Sequence, residues 1–185
     1  MSSLNKAIDA KILDPETHSR LLEDLDRVCT AAGVLKKFIY DPLLEHSTPE
    51  VVEWVTNIRL QQGGLALVGK RRKPIEMEMM AIAAACIRNF IDARVLTLQQ
   101  VLRGMGEASV QTPSVLLIPN FYVPRMDDSK LPHWQTSQVM DLLITRMAAG
   151  KPSIVYIQDW AGVSREYGPA MQTHIENHYT ILVDQ

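Results

Sequence analysis

The chain has 185 residues, 46% of them hydrophobic and 22% charged, with a formal net charge of −2. That balance suits a soluble globular protein with a sizeable core and excludes a strongly basic nucleic-acid binder, a low-complexity chain and a disulfide framework, since Cys29 and Cys86 are the only cysteines. No stretch is apolar for long enough to span a bilayer and the N-terminus has no leader pattern, so the expectation is a cytoplasmic protein with reduced, buried thiols.

In chain order, Asp14, Pro15 and Glu16 give a start signal for a first helix carrying Leu21, Leu22, Leu25 and Val28, which Gly33 ends. Residues 36–44 read as irregular around Asp41 and Pro42. Thr48 and Pro49 then supply an N-cap and a first helical position for a helix through Val51, Trp54, Val55 and Ile58. Residues 65–68 form a short apolar strand bounded by glycines, and from Met77 the residues Met80, Ala81, Ala84, Ile87 and Ile91 recur at helical spacing. A brief strand at 93–97, a short helix from Leu98 ended by Gly104, and a strand at 114–118 that is apolar on both faces come next. Residues 120–132 are expected as a loop. Residues 134–149 read as an amphipathic helix, 153–157 as a buried strand, 159–162 as a loop, 167–177 as a helix and 179–183 as the last strand. Strands alternating with helices predict a parallel α/β sheet.

The strand at 65–68, the loop after it and the helix from Met77 form the arrangement in which nucleotide-binding folds cradle phosphates. In the pattern G-x-x-x-x-G-K-[ST], the second glycine admits the phosphates, the lysine neutralises them and the hydroxyl holds magnesium. Counted from Gly69, those three positions fall on Pro74, Ile75 and Glu76. Pro74 lacks an amide, and the carboxylates of Glu76 and Glu78 occupy a helix start that would otherwise attract anions.

Taken together, these segments resemble the DnaC/IstB group of AAA+ ATPases, the helicase loaders and transposition helpers. The resemblance runs from about residue 31 to the C-terminus. Residues 32–38 look like that group's opening segment, 64–69 like the strand before its phosphate loop, and 81–87 like the small-residue helix that follows. Residues 94–102 are similar to its second strand and helix, 115–118 to the Walker B strand, and 140–146 with 150–155 to the next helix and the sensor strand. The resemblance implies a three-layer P-loop NTPase (AAA+)-like α/β domain on a parallel five-stranded sheet, over residues 46–185. A helical N-terminal segment at 1–45 would precede it, with no C-terminal lid domain. The acidic pair of the Walker B strand falls on Pro119 and Asn120, the sensor residue on Gln158 or Asp159, and the tail lacks the arginine often placed there. With these positions replaced, the resemblance implies a pseudo-ATPase that does not hydrolyse ATP, and no cofactor is expected.

Several constellations remain. Lys70, Arg71, Arg72 and Lys73 are the densest positive run, read either as a grip on phosphates, DNA or an acidic partner surface, or as a solvated loop balanced by Glu76 and Glu78. His174 and His178 lie four apart with no third ligand in evidence, so no metal is assigned. Asp127, Asp128 and Asp159 follow strands or lie in loops, as acid–base groups or as turn formers. Trp134, Met140 and Met147 are expected in the core, and Trp160 is expected to be exposed and, with Asp127 and Asp128, to contact a partner.

The leading expectation is a non-catalytic, helicase-loader-like adaptor or regulator of DNA replication or transposition, from a phage or mobile element. Its partner would be a replicative helicase, a transposase, another AAA+ protein or a second copy of itself, with DNA as a further ligand. Two alternatives stand beside it. One is an enzyme or switch using the same crevice for another ligand, with Lys70, Lys73, Asp127 and Asp159 around it; the other is an architectural ring or filament.

Overall fold

Residues 64–68 are too apolar and too short for anything but a strand covered on both faces, and the molecule is layered on them. The computed structural model describes residues 3–71, 73–105, 113–124 and 131–183. Five parallel strands, β1 (Gly64–Val68), β2 (Ala93–Val95), β3 (Val115–Tyr122), β4 (Ser153–Ile157) and β5 (Tyr179–Val183), form one sheet in the order β2-β3-β4-β1-β5. Every residue of β1 and β4 is buried, and Leu65 pairs with Ile154 and Val68 with Ile157. Because side chains alternate across a strand, Leu65, Leu67, Leu117, Ile154 and Tyr156 enter one core. Ala66, Val68, Leu116, Ile118, Val155 and Ile157 enter the other.

The first core is closed by α6 (Ile75–Arg88) and by the whole N-terminal part of the chain. That part comprises α1 (Ser3–Asp9), α2 (Ser19–Glu23), α3 (Leu25–Ala32), α4 (Lys37–Tyr40), a 3-10 turn at Leu43–Glu45 and α5 (Pro49–Thr56). The second is closed by α7 (Leu98–Arg103), α8 (His133–Ala148), α9 (Trp160–Tyr167) and α10 (Pro169–His178). These are the three layers and the five-stranded parallel sheet expected. Residues before 46 share a core with the sheet and α6. No helix among the described residues is long and apolar enough to cross a membrane.

The structure differs from the sequence reading at five places, each for a local reason. Asp14 does not open a long helix; its Oδ1 accepts the amides of Glu16 and Thr17 and closes a turn, and Asp24 separates α2 from α3. Residues 36–44 are ordered as α4 and part of the 3-10 turn. β3 continues to Tyr122 instead of ending at Ile118, because Phe121 is buried. The pairing with β4 shifts register between Ile118 and Tyr122, where Pro119 has no amide to give. Residues 159–162 are no loop, since Asp159 Oδ1 accepts the Ala161 amide at 3.1 Å and starts α9. Trp134 is 61% exposed rather than in the core, whereas Trp160 is half-buried and packs against the second core. Gly33 does end α3, at φ 68°, and a Cβ there would stand 2.7 Å from the carbonyl oxygen of Val95.

Two buried arginines tie helices to their neighbours through main-chain carbonyls. Arg146, near the end of α8, donates to Ser153 Oγ and to the carbonyls of Pro113, Ser114 and Pro152, joining that helix to the segments that enter β3 and β4. Burial pushes its pKa down to about 10. Arg88, at the end of α6, donates through Nη1 to the carbonyls of Phe38, Ile39 and Asp41 at 2.7, 3.2 and 3.0 Å. Those carbonyls lie at the end of α4, where a helix leaves acceptors unpaired and a cation is favourable. Arg88→Met keeps the aliphatic stem but strips these acceptors of their donor, so a loss of about 3 kcal/mol is expected. Urea denaturation of the two proteins measures it.

Candidate functional site

The candidate site is the loop from Gly69 to Pro74 that joins β1 to α6, at the end of the sheet where parallel α/β folds place ligands. Gly69 turns the chain at φ 102°, a conformation that favours glycine. Its amide donates to the Ile157 carbonyl at 3.0 Å and its own carbonyl accepts the Tyr156 hydroxyl at 2.9 Å, so the loop leaves the sheet clamped to β4.

Beyond Gly69 the basic run turns towards the N-terminal elements. Lys70 is exposed. The Arg71 side chain is only 7% exposed, with Nη1 3.8 Å from Glu78 Oε2, and Glu78 in turn accepts the Ser47 hydroxyl on Oε1 at 2.5 Å. Lys73 donates from Nζ to the Glu45 carbonyl at 2.6 Å. Arg72, Asp127 and Asp128 lie outside the described residues. Glu78 is therefore buried among its own partners, while Glu76, in the first turn of α6, is exposed.

Pro74, Ile75 and Glu76, the three positions counted from Gly69 in the phosphate-binding pattern, stand at the start of α6. Pro74 is the N-cap residue and supplies no side-chain cap; Ile75 is the first helical residue and is buried. At the end of β3, Asn120 Oδ1 accepts the Leu98 amide at 2.8 Å and so helps to start α7, which Thr97 and Gln100 cap reciprocally. Asp159 is engaged at the start of α9 and lies 3.5 Å from Arg165. Lys73 and Asp159 thus have separate partners on elements that cover opposite faces of the sheet.

Two further clusters stand apart from the loop start. His174 and His178 share one face of α10 with ring centroids 4.9 Å apart; His174 is buried and its Nε2 has no hydrogen-bond partner. Desolvation, then the proximity of His178, lowers the His174 pKa below the ordinary histidine value. Asp41, Glu45 and His46 bring their ligand atoms within 4.8 Å of one another, with His46 Nε2 3.1 Å from Asp41 Oδ2. Sequence reasoning missed this group, although an acid, an acid and a histidine within six residues of a proline-bearing turn was the signal. Arg88 and Lys73 donate to the main chain of Asp41 and Glu45, so positive charge already lies beside these carboxylates.

All strands parallel, β1 between β4 and β5, and a loop leading from β1 into a helix start define a P-loop-type α/β fold of the AAA+ kind. Comparison with solved structures agrees. The DnaC helicase loader is similar over 74% of this chain and 86% of its own, at 14% identity and a TM-score of 0.58. AMPPCP-bound DnaA from Aquifex aeolicus matches over 74% of this chain at 9% identity and a TM-score of 0.57. The replication initiator DnaA bound to AMPPCP and single-stranded DNA matches over 73%, at 9% identity and a TM-score of 0.58. The matched region spans 44% of each of the two DnaA chains. At these identities the likeness is one of fold. No protein-family model and no curated protein matches the sequence.

Two outcomes test this geometry. Glu78→Ala leaves Arg71 without its buried carboxylate and Ser47 without its acceptor; a loss of roughly 3 kcal/mol is expected, read as a lower denaturation midpoint. His174, with its folded pKa depressed, contributes stability that is full above the unfolded value near 6.5. That contribution falls as pH drops towards the folded pKa, because the unfolded chain takes the proton first. Thermal melts of wild type and His174→Gln between pH 7.5 and 5 should show a steeper acid loss in the wild type.

Proposed function

We propose that this protein is a non-hydrolysing AAA+-like adaptor or regulator in DNA replication or transposition, working through a protein partner, with DNA as a further ligand. The observation that carries the reading is the state of the loop after β1. Arg71 is held against Glu78, Lys73 is held by the Glu45 carbonyl, and α6 starts on Pro74 with Glu76 in its first turn. A phosphate approaching this helix start meets one amide fewer and a carboxylate. Two like charges at 4 Å repel by about 1 kcal/mol in water and by several times that when partly desolvated.

Among the described cations of the loop, Lys73 is drawn to the N-terminal elements and Arg71 to Glu78 of α6, while Lys70 is exposed, so the loop serves as a joint within the fold. Asn120, at a position where the resemblance would place a Walker B acid, supports α7. A helicase loader and a DNA-bound initiator among proteins of similar fold supply the process in which such an adaptor would work.

The test is nucleotide binding. Titration of a fluorescent ATP analogue in the presence of magnesium should give no saturable signal at micromolar concentrations, and phosphate release should match the buffer blank. Micromolar binding with turnover would overturn the reading. Affinity capture from the native host should return a replication or transposition protein.

A further inference from the structure

The turn between α4 and α5 gathers Asp41, Glu45 and His46, the only group of three metal-ligating side chains set this closely among the described residues. Local geometry brings them together. Asp41 leaves α4 in an extended conformation, Pro42 follows at φ −68°, and the 3-10 turn Leu43–Glu45 folds back, with the amides of His46 and Ser47 donating to the Leu43 carbonyl at 2.9 and 3.0 Å. Leu43 is buried in the first core and anchors the turn, while Glu45 stays exposed. The main chain is held from two further sides, since Arg88 donates to the Asp41 carbonyl at 3.0 Å and Lys73 to the Glu45 carbonyl at 2.6 Å. Both of these bonds go to main-chain oxygens and leave the carboxylates to other partners. The His46 ring stands edge-on against the buried Phe38 ring, with centroids 4.9 Å apart and planes at 82°, and its Nε2 lies 3.1 Å from Asp41 Oδ2. No hydrogen bond or ion pair engages the Glu45 carboxylate among the described residues.

One imidazole nitrogen with two carboxylates is a mixed donor set, and it has a chemical preference. Three such ligands and a water complete the four-coordinate shell that zinc accepts. With bonds of about 2.1 Å, donor atoms in that shell stand ~3.4 Å apart. The His46 and Asp41 atoms are already at that spacing, and all three donors lie within 4.8 Å of one another, so a rotation of the exposed Glu45 side chain closes the set. Magnesium and calcium take oxygen shells of six or more and bind through charge, so the imidazole and the nearby positive charge of Arg88 and Lys73 both select against them. We infer that Asp41, Glu45 and His46 form a binding site for a divalent late first-row metal ion of the zinc type. The ion takes the place of the hydrogen bond between His46 Nε2 and Asp41, with the imidazole proton on Nδ1, and ties the end of α4 to the start of α5. The Glu45 carbonyl holds Lys73 and the Ser47 hydroxyl donates to Glu78, so the same ion stiffens the attachment of the loop after β1. This site goes beyond the adaptor reading and does not depend on it.

Calorimetric titration of zinc chloride into the full, untagged chain tests it. Zinc should bind with a Kd of about 1–100 µM, and excess magnesium should not compete. Affinity should fall at least fivefold in Glu45→Gln and in His46→Asn, because each removes one of three ligands. The histidine pair on α10 is the rival source of a zinc signal, so His178→Asn serves as the control and should bind as the wild type does. Saturating zinc should also raise the unfolding temperature of the wild type and not that of His46→Asn. No saturable binding up to about 1 mM, a loss below fivefold in either folded variant, or binding abolished by His178→Asn would overturn the assignment. Should His46→Asn lower the unfolding midpoint in the absence of zinc, Glu45→Gln, a change of similar shape on an exposed side chain, decides the outcome alone.

Discussion

α6 is a helix with almost no side that can face water. Ile75, Met79 and every residue from Ala81 to Ile87 are buried, and Arg88 closes it, buried as well. A helix apolar around most of its circumference has to be covered on both sides. The sheet covers one side. The four alanines at positions 81, 83, 84 and 85 let neighbouring backbones approach closely, and the N-terminal elements, with Phe38, Ile39, Val51 and Trp54 fully or almost fully buried, cover the other. The N-terminal part is therefore the outer half of α6's environment, and Arg88 locks it there through three carbonyl oxygens.

That arrangement also decides what the loop before α6 does. Once the N-terminal elements lie against α6, Ser47 and the Glu45 carbonyl are brought to the loop, where Glu78, itself beside Arg71, and Lys73 find partners. In a phosphate-binding loop the positive charge is left uncommitted until the ligand arrives. Here the described cations, apart from exposed Lys70, are committed inside the fold. The same scaffold keeps the strand, the glycine turn and the helix start, since these are needed to pass from a buried strand into a buried helix whatever the loop binds.

Much of the fold was legible because strands buried on both faces leave a clear mark: residues 65–68, 114–118 and 153–157 are apolar runs bounded by turn residues, whereas the strand order comes from the structure alone. The start and end of β4 and β5 coincide with the expectation. What could not be read is what depends on contacts remote in sequence. Trp134 and Trp160 carry the same side chain at helical positions, and only the packing of α8 against the second core shows that Trp134 is turned outwards while Trp160 is half covered. The Glu45 carbonyl that holds Lys73 and the Ser47 hydroxyl that reaches Glu78 lie 28 and 31 residues earlier, on elements whose shape was not predicted. Pro119 looked like the end of a strand, and the register shift that accommodates it appears only beside β4.

The cap that Arg88 places on α4 joins residues up to 50 positions apart in the chain. During synthesis the N-terminal part leaves the ribosome first, at roughly 5–20 residues per second. It must then wait some seconds for the helix it shelters. The cover is made before the thing it covers, so in that interval Phe38, Ile39 and Trp54 have no apolar surface from α6 to meet. The growing chain carries its own exposed hydrophobic surface until α6 emerges and the guanidinium of Arg88 closes the seam.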